Sequence, residues 1–248
     1  MLENLKTDSS IEEENDVLGG NGPLDTDAYA MAIDMAYFDT AASGAISVNL
    51  TFTDATGRSV RQTIYVTSGT AKGGKNYYMV KKDGKETGEK RYLPGFNIAN
   101  AIALLSVGKE IADVETEEKT INVWNSELRK EAPAKKQLLT ELMGSEITLG
   151  LVKQIVDKNV KNPSTGMYEP SGETREENEI DKVFRTKDHL TVAEIRADAT
   201  EAAFYDKWVA KNQGNTRNKA KGGGTQGTSG LPGAAPAADS AEKKPLFG

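Results

Sequence analysis

The sequence predicts a mainly β protein: a small, curled antiparallel barrel with inserted helices, a C-terminal helical segment and disordered tails. Three observations point there. At least five or six short segments alternate apolar and polar residues, the period of two expected of half-buried strands. Helical spacing is limited to a stretch after Pro94, a short one at 135–143 and another after Thr191. Both ends are too polar, or too rich in Gly, Ala and Pro, to bury a core against the cost of chain entropy.

Residues 1–24 carry six acids and one Lys, run into GGNGP and show no sustained period, so they are expected to be an acidic flexible arm. The barrel domain is expected over 25–190. In it Tyr29, Met31, Ile33, Met35 and Tyr37 alternate with small or polar residues as a first strand, and Ile46, Val48, Leu50 and Phe52 make a second. The turn Asp54–Gly57 leads to Val60, Gln62, Ile64 and Val66, and three such strands with short turns form a meander. Residues 77–80 and 90–93, on either side of KKDGKETGE, read as a projecting hairpin. A helix follows with Asn97 as its N-cap and a stop near Gly108. Ile121 and Val123 suggest a short strand, 135–143 a short helix, 147–155 a long strand and 179–185 a returning one. Thr191 with Glu194 is a capping box opening the helical segment 191–211, either one helix or two broken around 198–200, with Phe204 and Trp208 on one face. Residues 212–248 read as a disordered Gly/Ala/Pro-rich tail. A five-stranded barrel with a helix inserted in its strand order is the oligonucleotide-binding (OB) fold, the leading candidate. An α+β sandwich fits the same string.

At 248 residues the chain is long enough for a buried core. Without cysteine it can build neither a disulfide framework nor a thiolate metal site. The N-terminus lacks the charged-then-apolar order of a signal peptide, and no stretch approaches the roughly 20 apolar residues of a membrane span. A soluble intracellular protein is expected, with no membrane partner. The formal net charge of -6 and a pI near 5.1 argue against nucleic acid in bulk. What decides is the local field within a Debye length, about 10 Å at 0.1 M salt.

That field is inverted between Arg61 and Phe96, where eight Lys or Arg face three acids, a net of +5. Tyr77, Tyr78 and Tyr92 are interleaved with Lys72, Lys75, Lys81, Lys82, Lys85, Lys90 and Arg91 on a glycine-rich ribbon. A single nucleic-acid strand asks for this combination, cations for phosphates and flat rings for unstacked bases. These ten residues are the candidate nucleic-acid contacts. The competing reading of the two adjacent tyrosines is hairpin packing, since neighbours on a strand point to opposite faces. Tyr65, Tyr92 and Trp124 are lesser stacking candidates that also suit the core.

Other constellations are weaker. Gly69–Lys75 matches G-x-x-x-x-G-K, but Asn76 stands where a phosphate-binding loop needs Ser or Thr, and a strand follows where a helix should. His189, the single histidine, has no Cys or second His to join it as a metal ligand. The acidic run 173–179 reads as a solvated ribbon before it reads as a nuclease metal site. The tip Pro245, Leu246 and Phe247 ends a long tether suited to docking in a partner's groove. No cofactor is implied.

The runs TSGTAKGGKNYY, RYLPGFNIANAIALLSVGKEI, LGLVKQIVDKN and GETREENEIDKVFR resemble the single-stranded DNA-binding proteins of tailed bacteriophages, a diverse set built on the OB fold. The likeness covers roughly residues 25–210 and is most specific at 92–97, Tyr-Leu-Pro-Gly-Phe-Asn, with the helix after it. It implies a non-enzymatic protein of the host cytoplasm that coats single strands during phage DNA replication or recombination. It also implies a tail that recruits phage or host replication and recombination proteins. Such tails are acidic and end in Phe, whereas residues 211–248 carry six basic and two acidic residues and end in Gly248. A phage structural or adaptor protein, binding a protein through its β-domain and tails, is the alternative.

Overall fold

The computed structural model describes residues 22–125, 128–166 and 168–221. The expected meander is β1 (Asp27–Thr40), β2 (Ile46–Asp54) and β3 (Ser59–Tyr65), paired antiparallel in sequence order. A bulge between Ile33 and Met35 changes the phase of β1. Met31, Ile33 and Ala36 therefore enter the core, while Met35 and Tyr37, expected on that same face, turn to the other. The extra residue is invisible to a strict period of two.

Long strands continue the sheet. β8 (Glu146–Lys161) pairs antiparallel with β1 on one edge and with β9 (Tyr168–Phe184) on the other. The order β9-β8-β1-β2-β3 curls until Gln62 of β3 donates its Nε2–H to the Asn178 carbonyl of β9 at 2.8 Å. Asn178 in turn accepts from the Leu24 N–H and donates to the Leu24 carbonyl, pinning the start of the described chain. Among the described residues no ladder joins β3 to β9, so these antiparallel strands do not close into the expected barrel. α1 (Pro94–Val107) packs on β3, β8 and β9 with Ala99, Ile102, Ala103 and Leu105 buried. The core behind it holds Phe52, Leu139, Leu142, Ile147, Leu149 and Leu151, and removing one such leucine side chain to Ala costs about 2–5 kcal/mol.

Several expectations are corrected. α1 begins at Pro94, three residues before Asn97, because proline at the first helical position gives up no hydrogen bond and brings φ preset. Residues 135–143 are not a helix. They belong largely to β7 (Lys130–Leu139), which pairs along its length with β6 (Thr116–Asn125) and touches β1 at Tyr37 and Phe38; pairing and the burial of Leu138 and Leu139 override helix propensity. Of the two readings of the helical segment the structure has the second, α2 (Val192–Arg196) behind the expected capping box and α3 (Ala203–Asn212). They are not a separate unit. Trp208 and Tyr205 of α3 pack on Phe184, with ring centroids 6.0 and 5.1 Å apart, and Trp208 lies over Gly150, which has no side chain to exclude it.

The chain also stays ordered past 212, where a tail was expected. β10 (Thr216–Asn218) adds parallel to β8 beside Lys153–Ile155, on the edge that β1 leaves open. The acidic arm up to residue 21 and the tail from 222, with Pro245, Leu246 and Phe247, lie outside the described residues. Among the described residues no helix is long and apolar enough to cross a membrane.

The β2–β3 turn carries a titration handle. Burial works against the Asp54 carboxylate, but it accepts hydrogen bonds from the Thr56 hydroxyl and N–H and from the Arg58 N–H and guanidinium, which hold its pKa at about 2, below the ordinary 3.8. A depressed carboxyl contributes stability that is present above its unfolded value and lost as pH falls through the folded one. Asp54→Asn is therefore expected to be less stable than the parent above pH about 4, the gap closing between about 4 and 2, as measured by urea unfolding across that range.

Candidate nucleic-acid interface

The basic ribbon is a hairpin on a clamped stem. β3 ends at Tyr65, and the following loop contains a 3₁₀ turn at Thr70–Lys72 fixed to the β1–β2 turn, where the Thr70 N–H donates to the Ser43 carbonyl at 2.8 Å. β4 (Tyr77–Lys82) and β5 (Lys85–Tyr92) then form their own two-stranded sheet, with Asp83 and Gly84 both at positive φ in the two-residue turn. That pair favours the twist a tight hairpin needs. At the stem the Leu93 N–H donates to the Asn76 carbonyl and the Ser68 N–H to the Lys75 carbonyl, each at 2.8 Å. α1 starts at once, and a Cβ on Gly95 would lie 2.2 Å from the Tyr65 carbonyl oxygen. Only glycine lets the helix begin that close to the end of β3.

All eight residues of β5 are exposed, as are Lys72, Lys75, Lys81 and Lys82. Tyr78 is 44 % and Tyr92 57 % exposed. Tyr77 is half-buried, with the Lys90 and Lys75 ammonium groups 4.9 and 5.5 Å from its ring centre. Its faces are thus engaged by cations, while Tyr78 is the more open of the adjacent pair. Tyr92 leans on Phe96 of α1 with centroids 5.0 Å apart. Arg91 is paired with Glu89 at 2.7 Å; among the described residues none of the six lysines Lys72, Lys75, Lys81, Lys82, Lys85 and Lys90 forms an ion pair.

The hairpin divides the candidates into two groups. Lys72, Lys75, Lys81, Tyr77 and Tyr78 border a groove of about 1090 Å³ that reaches the β1–β2 turn, and three lysines there face one acid, Glu86. Lys90, Arg91 and Tyr92, with Tyr78 again, border a second groove of about 700 Å³ against β9 and β10. Lys82 and Lys85 sit at the tip, outside both. The ten residues do not share one open side, as a flat reading of the ribbon implies; they straddle it.

A third groove, about 940 Å³, lies between the outer face of the meander and the β6–β7 hairpin. Its charges are Arg61 and Lys136 against Asp34, Asp39 and Glu131, and Lys136 is already paired with Asp39 at 2.6 Å. Phosphates gain little there. Trp124 on its rim is 65 % exposed and Tyr65 is 52 % exposed, so these two, with Tyr92, are surface residues and not core. Tyr65 and Trp124 fall on the outward phase of their strands, opposite Ile64 and Val123. Arg217 and Lys219 of the second groove carry only the signal of charge near the start of a Gly-rich tail, which resembles a solvated linker, and Lys182 only that of a charge on the returning strand 179–185.

The remaining constellations are structural. In the Gly69–Lys75 loop the N–H groups of Lys72, Gly73 and Gly74 bond back to Gly69 and Thr70 carbonyls, and that of Lys75 to the Ser68 hydroxyl, leaving no cradle for phosphate. His189 stacks on Tyr205 with centroids 4.1 Å apart. The acidic run is dispersed along β9 in pairs with Lys158, Lys153 and Arg175, and among the described residues no three His, Asp or Glu side chains gather as a metal site.

Gly95→Ala is expected to cost about 1–3 kcal/mol and to open the hairpin to trypsin at Lys81–Lys90, since the new methyl must push α1 off β3. An unchanged melting temperature and cleavage pattern would show that the stem is not clamped there. Comparisons of the chain with protein-family models, with curated proteins and with solved structures give no match.

Proposed function

We propose that this protein binds single-stranded DNA with little regard to sequence, coating and protecting it in the cytoplasm of a phage-infected host during replication or recombination. The observation that carries the reading is the hairpin groove, where Lys72, Lys75 and Lys81 face a single acid beside the open ring of Tyr78. Cations on a rigid stem neutralise phosphates at little cost in ordering, and exposed rings accept unstacked bases of any identity. The protein acts by binding and not as an enzyme.

Two further features support it. With the β4–β5 and β6–β7 hairpins taken as insertions, the order meander, α1, β8–β9 is compatible with an OB barrel left open between β3 and β9, which run in the same direction. The resemblance to phage single-stranded DNA-binding proteins is greatest at 92–97, the segment that joins hairpin to α1. One observation favours the alternative, a phage adaptor: the third groove, rimmed by exposed Trp124 and poor in free cations, suits protein better than phosphate. Recruitment through Pro245, Leu246 and Phe247 belongs to either reading.

With about five phosphates neutralised, log K should fall with log salt at a slope of about -3.5, so affinity for a labelled oligothymidylate should drop about a hundredfold between about 50 and 200 mM salt. A flat titration, or equal affinity for duplex, would overturn the reading. Tyr78→Ala should weaken binding by about 1–3 kcal/mol in the same fluorescence titration while leaving the melting temperature in place, because the ring is exposed.

A further inference from the structure

The groove on the far side of the hairpin is built from distant parts of the chain. β5 brings Lys90 and Arg91, β9 brings Lys182, and the C-terminal strap brings Arg217 and Lys219: five cations against two acids in the lining, Glu179 and Asp181, with Arg91 paired to Glu89 outside it and Lys182 at 4.0 Å from Asp181. The two acids are already engaged. Asp181 accepts from the Trp208 Nε1–H at 2.8 Å and from both Arg217 terminal nitrogens at 3.2 and 3.3 Å, and Glu179 is paired with Lys219 at 2.6 Å. Burial opposes the Asp181 charge, but the Trp208 hydrogen bond, the nearby Lys182 ammonium and the Arg217 hydrogen bonds keep its carboxyl below the ordinary range, so it stays ionised and holds the arginine in place.

The strap is also rigid. β10 lies parallel to β8, the Lys219 N–H donates to the Ile155 carbonyl at 2.8 Å, and the Gly214 N–H donates to the Thr26 carbonyl at 2.9 Å. Its cations are thus presented on a sheet edge and not on a loose tail. Tyr78 borders this groove as well as the first, and Tyr92 stands open within it.

We propose that this groove is a second stretch of the polynucleotide track, so that one single strand lies in the first groove, crosses the hairpin over Tyr78 and continues along β9 and β10 with its phosphates at Lys90, Lys182 and Lys219. The inference rests on the single-strand reading and adds to it a path, a direction of extension and a use for the C-terminal strap. A strand long enough to reach both grooves gains contacts that a short one does not. The phosphates compete with Glu179 for Lys219, so Glu179 acts as a brake on the second groove.

The test uses the full chain and labelled oligothymidylates of about 6 and about 20 nucleotides, one near the short end and one beyond the long end of the roughly 4–16 nucleotides occupied by single OB domains. Lys182→Gln with Lys219→Gln should lower affinity for the long oligonucleotide at least about tenfold and reduce its salt slope by about 1.4, two phosphates' worth, while leaving the short one unchanged. Glu179→Gln should raise affinity for the long oligonucleotide. Lys75→Gln with Lys81→Gln should weaken both lengths. If the second-groove pair changes neither length, or both equally, the second stretch is overturned while the first-groove reading stands. If the Lys75/Lys81 pair also changes nothing, the single-strand reading falls with it. Selective binding of an acidic peptide in place of the oligonucleotide would likewise overturn the inference. Melting curves of each variant separate lost contacts from lost fold.

Discussion

A two-stranded ribbon with one strand wholly exposed does not hold itself together in water. The candidate site depends on its stem, where Gly95 brings α1 against the carbonyl of Tyr65 and the hairpin leaves and re-enters the body between those two points. Three backbone hydrogen bonds there, Thr70 to Ser43, Ser68 to Lys75 and Leu93 to Asn76, turn a flexible glycine-rich insertion into a projecting arm with a fixed root. The core serves the same end. α1 is held by Ala99, Ile102, Ala103 and Leu105 against β3, β8 and β9, so the stem inherits the rigidity of the curled sheet.

The charge distribution sets the field that the arm presents. A protein with a net charge of -6 gathers lysines on one hairpin, while many of its carboxylates elsewhere are held in pairs, along β9, at the β2–β3 turn and between β7 and β1. Among the described residues the six lysines from Lys72 to Lys90 form no such pair, so their field is turned outward. At an exposed site the worth of each is small and set by salt; as a row facing a polyanion they act together through counterion release. The third groove lacks this property, with Lys136 already committed to Asp39.

Much of this was legible in the sequence, and the gaps have physical causes. The meander, the hairpin, the end of α1 at Gly108 and the Thr191 capping box follow from period, turn chemistry and caps, which are local. The bulge in β1 was not legible, because one inserted residue leaves composition unchanged while moving Tyr37 from the inner to the outer face. β7 was misread because its Lys-rich, Leu-rich segment favours a helix until pairing with β6 decides otherwise. At the site the residue types were readable and the grouping was not. Whether Lys75 and Lys90 sit on the same side depends on hairpin twist, and Lys182 and Lys219 join them only through β9 and β10, about a hundred residues away in the chain.

The central claim is that an unpaired strand meets the protein at the rings and cations flanking the hairpin. Photocross-linking of a 4-thiothymidine oligonucleotide, followed by peptide mapping, tests this most directly. Adducts at Tyr78 and Tyr92, competed by unlabelled single strands and not by duplex, are the predicted result. Adducts confined to Trp124 and the third groove, or none above the level given by duplex, would contradict it.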